Sequence, residues 1–167
     1  TLFNRLVNLV VHFQNHMAGV FSHAIVTYTQ DYADHSAYLR RYLRKLRVIP
    51  PPVELPGASA EQIAAFSVEK NPEKRRPVIG MVSRFATEKG VEVMLNALPS
   101  LLERYPNALV QFAGPFQNIH GEEAYFERLA PQIRDLEARG HWQFMGALSP
   151  QQLSAFYPNL DVLVLPS

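Results

Sequence analysis

The chain of 167 residues contains no cysteine, which excludes disulfides and thiolate metal sites and fits a reducing compartment. Neither sign of charge is in excess. Sixteen Lys and Arg against fifteen Asp and Glu leave a formal charge of +1, too little for the basic face of a dedicated nucleic-acid binder. Polar residues interrupt every apolar stretch well short of the ~18 residues of a transmembrane helix. The first residues lack the charged start, apolar middle and small-residue cleavage site of a signal peptide. Also missing are the G-x-G-x-x-G dinucleotide fingerprint, the G-x-x-x-x-G-K-[ST] phosphate loop, the H-E-x-x-H metal motif, internal repeats and low-complexity tracts. What is present is an apolar fraction of 47%, ample for a packed core. A soluble, cytoplasmic protein is expected. The chain starts at Thr1 without Met and stops at Leu165-Pro-Ser167, the carboxyl edge of an expected strand, so an excised piece is expected as well.

Apolar residues at Leu2, Leu6, Leu9, Val10, Phe13 and Met17 have helical spacing, with Gly19 as the expected stop. Ala24 to Tyr28 reads as a short strand, and Asp31 to Leu46 as a second helix. Three consecutive prolines, Pro50 to Pro52, make 48–57 a stiff extended connector. Ser59-Ala-Glu-Gln62 has the form of a capping box for a short helix.

From Val78 the rhythm becomes regular strand-helix alternation. Strands are expected over 78–83, 109–113, 142–145 and 161–165, with helices between them. Pro99 is expected to kink the first of these helices, and Pro131 lies inside the second. Ser149-Pro150 supplies an N-cap and a first-turn proline for the third. The fold class is therefore α/β: a Rossmann-like parallel sheet with helices on both faces, preceded by an N-terminal appendage of helices and a strand.

One stretch carries the chemistry. Val78-Ile-Gly-Met-Val-Ser-Arg84-Phe-Ala-Thr-Glu-Lys89-Gly90 reads as a buried strand, a tight turn and a helix start, with two cations in the turn. A helix N-terminus already attracts anions, and Arg84 with Lys89 would suit a phosphate or diphosphate. Solvated turn residues are the bland alternative. His12 and His16, four apart on a helix, have no evident third metal ligand, and a structural or exposed role is favoured. Trp142 reads as core or sheet edge. Glu122 and Glu123 sit at a helix start, where carboxylates stabilise the dipole, and a catalytic role carries little weight. Arg40, Arg41, Arg44, Lys45 and Arg47 have no acidic residue among them; a solvated helical face is favoured over peripheral contact with anionic lipid headgroups.

Five segments in order resemble retaining GT-B glycosyltransferases of family 4. Residues 24–29 are similar to the last strand of the family's N-terminal domain, and Val48-Ile-Pro-Pro-Pro-Val-Glu54 to its interdomain "V-I-P-N-G-V-D". Ser83-Arg84-Phe85 through Lys89-Gly90 is similar to "G-R-x-x-x-x-K-G", and 105–114 to "P-x-x-x-L-x-I-x-G". Residues 142–167 are similar to "V-x-F-x-G … A-D-V-x-V-x-P-S".

The resemblance implies the end of an acceptor-side domain over 1–47, a linker over 48–77 and a truncated nucleotide-sugar-binding domain over 78–167. It implies that Arg84 and Lys89 hold the diphosphate, that Gly114 lies where ribose or phosphates pass, and that Met145-Gly146 lies near the nucleobase. A nucleoside-diphosphate sugar is the implied donor, with no cofactor, no metal and no nucleic acid. The acceptor is unassigned: a sugar, a lipid-linked molecule or a small molecule. Catalytic residues, including the family's paired glutamates, are expected outside this chain, so sugar transfer by these residues alone is not expected. Two alternatives stay open at this point: a GT-B-shaped sugar-nucleotide epimerase, and a non-catalytic membrane- or partner-binding module.

Overall fold

A computed structural model describes residues 2–52 and 56–166. Val53, Glu54 and Leu55 of the expected connector, and Ser167 of the terminal Pro-Ser pair, lie outside the described residues. The chain divides into two compact units, Thr1–Glu54 and Leu55–Ser167.

In the first unit a long helix, α1 (Leu2–Phe21), is followed by β1 (Ile25–Thr27), a short α2 (Gln30–His35), two 3-10 turns and β2 (Leu46–Val48). The two strands pair in parallel, Ile25 opposite Leu46 and Thr27 opposite Val48. Ala33, Leu39 and Leu46 form a small core with Ile25 and Tyr38 packed against it.

The first unit departs from the sequence expectation at two points. The helix runs past Gly19 to Phe21. Glycine allows close approach there: a Cβ would lie 2.5 Å from the Tyr42 ring, which would have to shift. The expected helix over 31–46 ends at His35. Ser36 turns extended (ψ 116°), and its Oγ accepts from the Leu39 N–H, an alternative to the helical ladder. The remaining residues coil into 3-10 turns at Leu39–Arg41 and Leu43–Lys45 and reach β2, so the basic residues do not share one helical face. Lys45 Nζ donates to the carbonyls of Gly19, Val20 and Ser22 at 3.0, 2.7 and 3.1 Å. Its ammonium thus satisfies the open carbonyl end of α1 and opposes the negative end of the helix dipole. No described helix is long and apolar enough to cross a membrane.

The second unit opens with α3 (Ala60–Lys70), started by the capping box of Ser59 and Gln62. Then come β3 (Val78–Val82), α4 (Val91–Arg104), β4 (Leu109–Ala113), α5 (Glu123–Ala138), β5 (Trp142–Gly146), α6 (Pro150–Phe156) and β6 (Val162–Leu163). The four strands are parallel in the order β5-β4-β3-β6. The expected parallel sheet with helices on both faces is what the chain forms.

Register explains the two faces. Ile79, Val110 and Trp142 lie abreast, as do Met81, Phe112 and Phe144; these rows pack with α4 and α5 in the main core. Trp142 is core, stacked on Phe112. The alternate row, Gly80, Gln111 and Gln143, faces the other way. Gly80 leaves room for Leu160 on that side, and Phe66 of α3 meets Phe156 of α6 edge-on in the second core. Gln111 is almost fully buried, yet its Nε2 donates to the Lys70 carbonyl and to Gln143 Oε1, tying the end of α3 to the sheet.

α4 continues through Pro99 to Arg104. The proline leaves the Leu95 carbonyl without its helical donor, and Gln132 Nε2 of α5 fills that vacancy at 3.2 Å. β6 is tethered through Asp161, whose carboxylate accepts from the Val78 N–H (2.6 Å) and from Arg76 (2.8 Å).

Candidate functional site

The strand order reverses at β3: the chain moves from β3 out to β4 and β5, then returns to β6 on the other side. In open α/β sheets the crevice beyond the carboxyl ends at such a reversal is where ligands bind. Arg84 sits in that position, two residues after β3 ends.

The segments leaving the strands are laced together at this edge. Ser83 N–H donates to the Ala113 carbonyl, Phe85 N–H to Pro115, and Gly114 N–H to Gly146 at 2.7 Å. Gly114 has φ +141°, and a Cβ there would collide with the Ser83 carbonyl oxygen, so only glycine lets β3 and β4 exits run this close. Ala113 pairs with Gly146 while Phe112 pairs with Phe144, which leaves Met145 as the extra residue of a β-bulge. Gly146 takes φ +69° there. The Met145 side chain packs with the second core, so the bulge offers backbone rather than that side chain.

Phe85 fixes the turn that carries the cations. It is fully buried, with Phe112, Tyr125, Phe126 and Phe144 rings 5.2–6.2 Å from its own. Arg84 on one side of this plug is exposed, and Nη2 is paired with Glu88 at 2.6 Å. The Glu88 carboxyl is held below the ordinary carboxylate range by its own backbone N–H and by the Arg84 guanidinium. A 3-10 turn, Thr87–Lys89, ends at Gly90 (φ +66°), from which α4 starts. The Pro166 carbonyl passes so close to Gly90 that a Cβ would lie 2.5 Å from it, bringing the exit of β6 to the start of α4.

The structure therefore sets Arg84, Lys89, Gly114 and Gly146 on successive segments of one sheet edge. A cavity of about 200 Å³ opens beside it, lined by Phe85, Phe116, Asn118, Ile119, Glu122 and Phe126; Arg84 and Lys89 do not line it. His16 Nδ1 meets the Tyr42 hydroxyl at 2.7 Å, and among the described residues no three His, Asp or Glu are grouped to hold a metal. Of the five basic residues for which a solvated face was favoured over lipid contact, Lys45 is committed to α1, and the other four are exposed.

Glu122 has a contact that its position at a helix start did not reveal. Its Oε2 accepts from Thr87 N–H at 3.0 Å and from Thr87 Oγ1 at 2.7 Å, across 35 residues of chain. Three residues on, the Tyr125 hydroxyl accepts the Glu92 N–H (3.1 Å), and burial pushes that hydroxyl above the ordinary phenol range. After three more, Arg128 grips the Glu92 carboxylate with both terminal nitrogens, at 2.7 and 2.8 Å. A local signal existed only for the acidic helix start.

The model of the family described as "Glycosyl transferases group 1" matches residues 62–167. A D-inositol 3-phosphate glycosyltransferase of Corynebacterium kroppenstedtii is 29% identical over 126 residues, covering 69% of this chain and 27% of that protein. A GDP-mannose-dependent alpha-(1-6)-phosphatidylinositol monomannoside mannosyltransferase of Mycolicibacterium smegmatis is 30% identical over 91 residues, covering 54% of this chain and 22% of its own. The crystal structure of Anabaena Alr3699/HepE in complex with UDP and glucose superposes with TM-score 0.71 at 20% identity, over 91% of this chain and 40% of that one. The chain thus spans about a quarter of the length of these curated relatives.

Proposed function

The chain belongs to the group 1 glycosyl transferases, and on that premise we propose that it carries the diphosphate-facing part of a nucleotide-sugar donor site. The whole protein then transfers a hexosyl group from a nucleoside-diphosphate sugar to an acceptor hydroxyl, with retention at the anomeric carbon, in the cytoplasm. The observation that carries the reading is the place of Arg84 and Lys89: one turn, at the carboxyl edge, after the strand where the sheet order reverses. The Anabaena neighbour, solved with UDP and glucose, and the GDP-mannose-dependent relative support a donor of this chemistry.

The chemistry follows from charge. Breaking the glycosyl bond develops negative charge on the β-phosphate, and cations fixed in advance stabilise it with little reorganisation. Arg84 exchanges Glu88 for phosphate oxygens and can engage two at once, while Lys89 acts as a point charge. With these side chains neutralising the leaving group, no metal is required. Gly114 and Gly146 let donor atoms approach backbone, Gly146 and Met145 through the bulge beside the base. Residues that orient the sugar and the acceptor belong to the rest of the protein. The epimerase and interaction-module alternatives draw no support from relatives named as transferases.

Calorimetric titration of the chain with UDP, GDP and ADP tests the reading. The double variant Arg84→Ala, Lys89→Ala should lose roughly 2–4 kcal/mol of binding to the preferred diphosphate, two charge-assisted contacts being removed. Equal binding by native chain and variant overturns it.

A further inference from the structure

We propose that Glu122 is a positioning residue: it holds the 84–90 turn in the shape that aims Arg84 and Lys89 at the donor's diphosphate, without touching the donor. The inference rests on the donor-site reading above and adds to it a residue from a different loop.

The turn between β3 and α4 needs outside support. Beyond the buried pair Phe85 and Ala86 it is a single 3-10 turn of exposed or half-buried residues, and its first residue, Thr87, is exposed. Its internal bond from Lys89 N–H to Ala86 leaves the Thr87 N–H without a partner in the turn itself. Glu122 supplies that partner and takes the Thr87 hydroxyl on the same oxygen. Thr87 lies between the two cations in sequence, so pinning it fixes where both side chains begin.

The support is rigid because of what stands behind it. Positions 122, 125 and 128 are spaced three apart, which puts them on one face at the start of α5. All three reach the 87–92 segment: Glu122 to Thr87, Tyr125 to the Glu92 backbone, Arg128 to the Glu92 carboxylate. Tyr125 is buried against Phe85, so α5 cannot shift relative to the turn without disturbing the main core. The loop leaving β4 delivers Glu122, and Gly121 just before it has φ +83°. One face of α5 thus grips the cationic turn at three successive points; Tyr125 packs against the Phe85 ring, and Glu122 is the one of the three that hydrogen-bonds between Arg84 and Lys89.

Both bonds end on one oxygen, so the role needs an acceptor and not a charge. Glu122→Gln keeps an amide oxygen for Thr87, whereas Glu122→Ala removes the acceptor. The test measures UDP, GDP and ADP affinity by calorimetry, the Thr87 and Lys89 amide shifts by NMR, and unfolding midpoints, for both variants and for Arg84→Ala. Glu122→Ala should weaken binding by about tenfold through loss of two hydrogen bonds, with the Thr87 amide moved and the midpoint nearly unchanged. Glu122→Gln should restore affinity to within about threefold and return the Thr87 amide to its native position, since the acceptor is retained. Thr87→Val, which removes only the hydroxyl, should fall between them and serves if Glu122→Ala does not fold. Native affinity in Glu122→Ala, or equal loss in Gln and Ala variants, overturns the positioning role. Loss in Arg84→Ala without loss in Glu122→Ala rejects Glu122 alone; native affinity in Arg84→Ala rejects the donor site itself.

Discussion

The two units cover their apolar surface very differently. In Leu55–Ser167 the sheet rows and the helices on either face enclose large side chains, with Phe85, Phe112 and Phe156 fully buried. In Thr1–Glu54 the core is three residues deep, and α1 leaves Phe3, Leu6, Leu9, Val10, Phe13, Met17 and Phe21 exposed. The spacing of apolar residues in α1 marks an amphipathic helix, but burial of that stripe needs a surface to meet it. Sequence periodicity alone therefore announces a helix equally well whether or not its apolar face finds cover. The second unit owes its order to tertiary packing, and the phosphate-facing turn inherits that order through Phe85.

The contrast predicts a ranking of costs. Phe112→Ala should destabilise the second unit by about 3–5 kcal/mol, the usual range for emptying a core aromatic site, as measured by denaturant unfolding. A cost below ~1 kcal/mol would break the comparison, because the main core would then not dominate. Asp161→Asn should cost about 0.5 kcal/mol, its ion pair with Arg76 being partly exposed and screened. Burial pushes the Asp161 carboxyl up, but Arg76 and the Val78 N–H outweigh it and hold it below the ordinary carboxylate range. A depressed folded-state value means this contribution is present above the unfolded-state pKa and is lost as pH falls through the folded one. Acid titration of stability should thus show a decrement in the native chain that Asp161→Asn lacks. Phe13→Ala should change stability by less than ~0.5 kcal/mol, as for an exposed position. A loss several times larger would show α1 to be covered and erase the contrast.

Much of this arrangement was legible in the sequence. Alternating apolar runs fixed the strands of the second unit, and Ser59 with Gln62 and Ser149 with Pro150 marked two helix starts; both carry the full reciprocal cap, the second through Gln152, which was not foreseen. The turn with Arg84 and Lys89 could be placed after a strand because Gly90 and the amphipathic run behind it signalled a helix. What escaped depended on partners far along the chain. The spacing of apolar residues over 31–46 fits a helix, but Leu46 is drawn into pairing with Ile25, and no local pattern records that. Lys45 looked like one more member of a basic cluster until the end of α1 arrived beside it. The bulge at Met145 depends on β4, and the grip of Glu122 on Thr87 joins two loops 35 residues apart. Contacts of that kind are set by topology and become visible only when the strands are side by side.

The proline in α4 has one more consequence. An ordinary helix presents a smooth flank along which a neighbour could slip by a turn, about 5.4 Å, and find similar apolar purchase. By removing one donor, Pro99 leaves a single carbonyl, that of Leu95, facing outward, and Gln132 is the amide that reads it. The defect acts as an index mark: α5 has one longitudinal setting against α4 at which the mark is read, and every other setting strands a polar group. That setting is also the one that brings Glu122, three turns back along α5, level with Thr87. A missing hydrogen therefore helps decide, at a distance, where two positive charges stand.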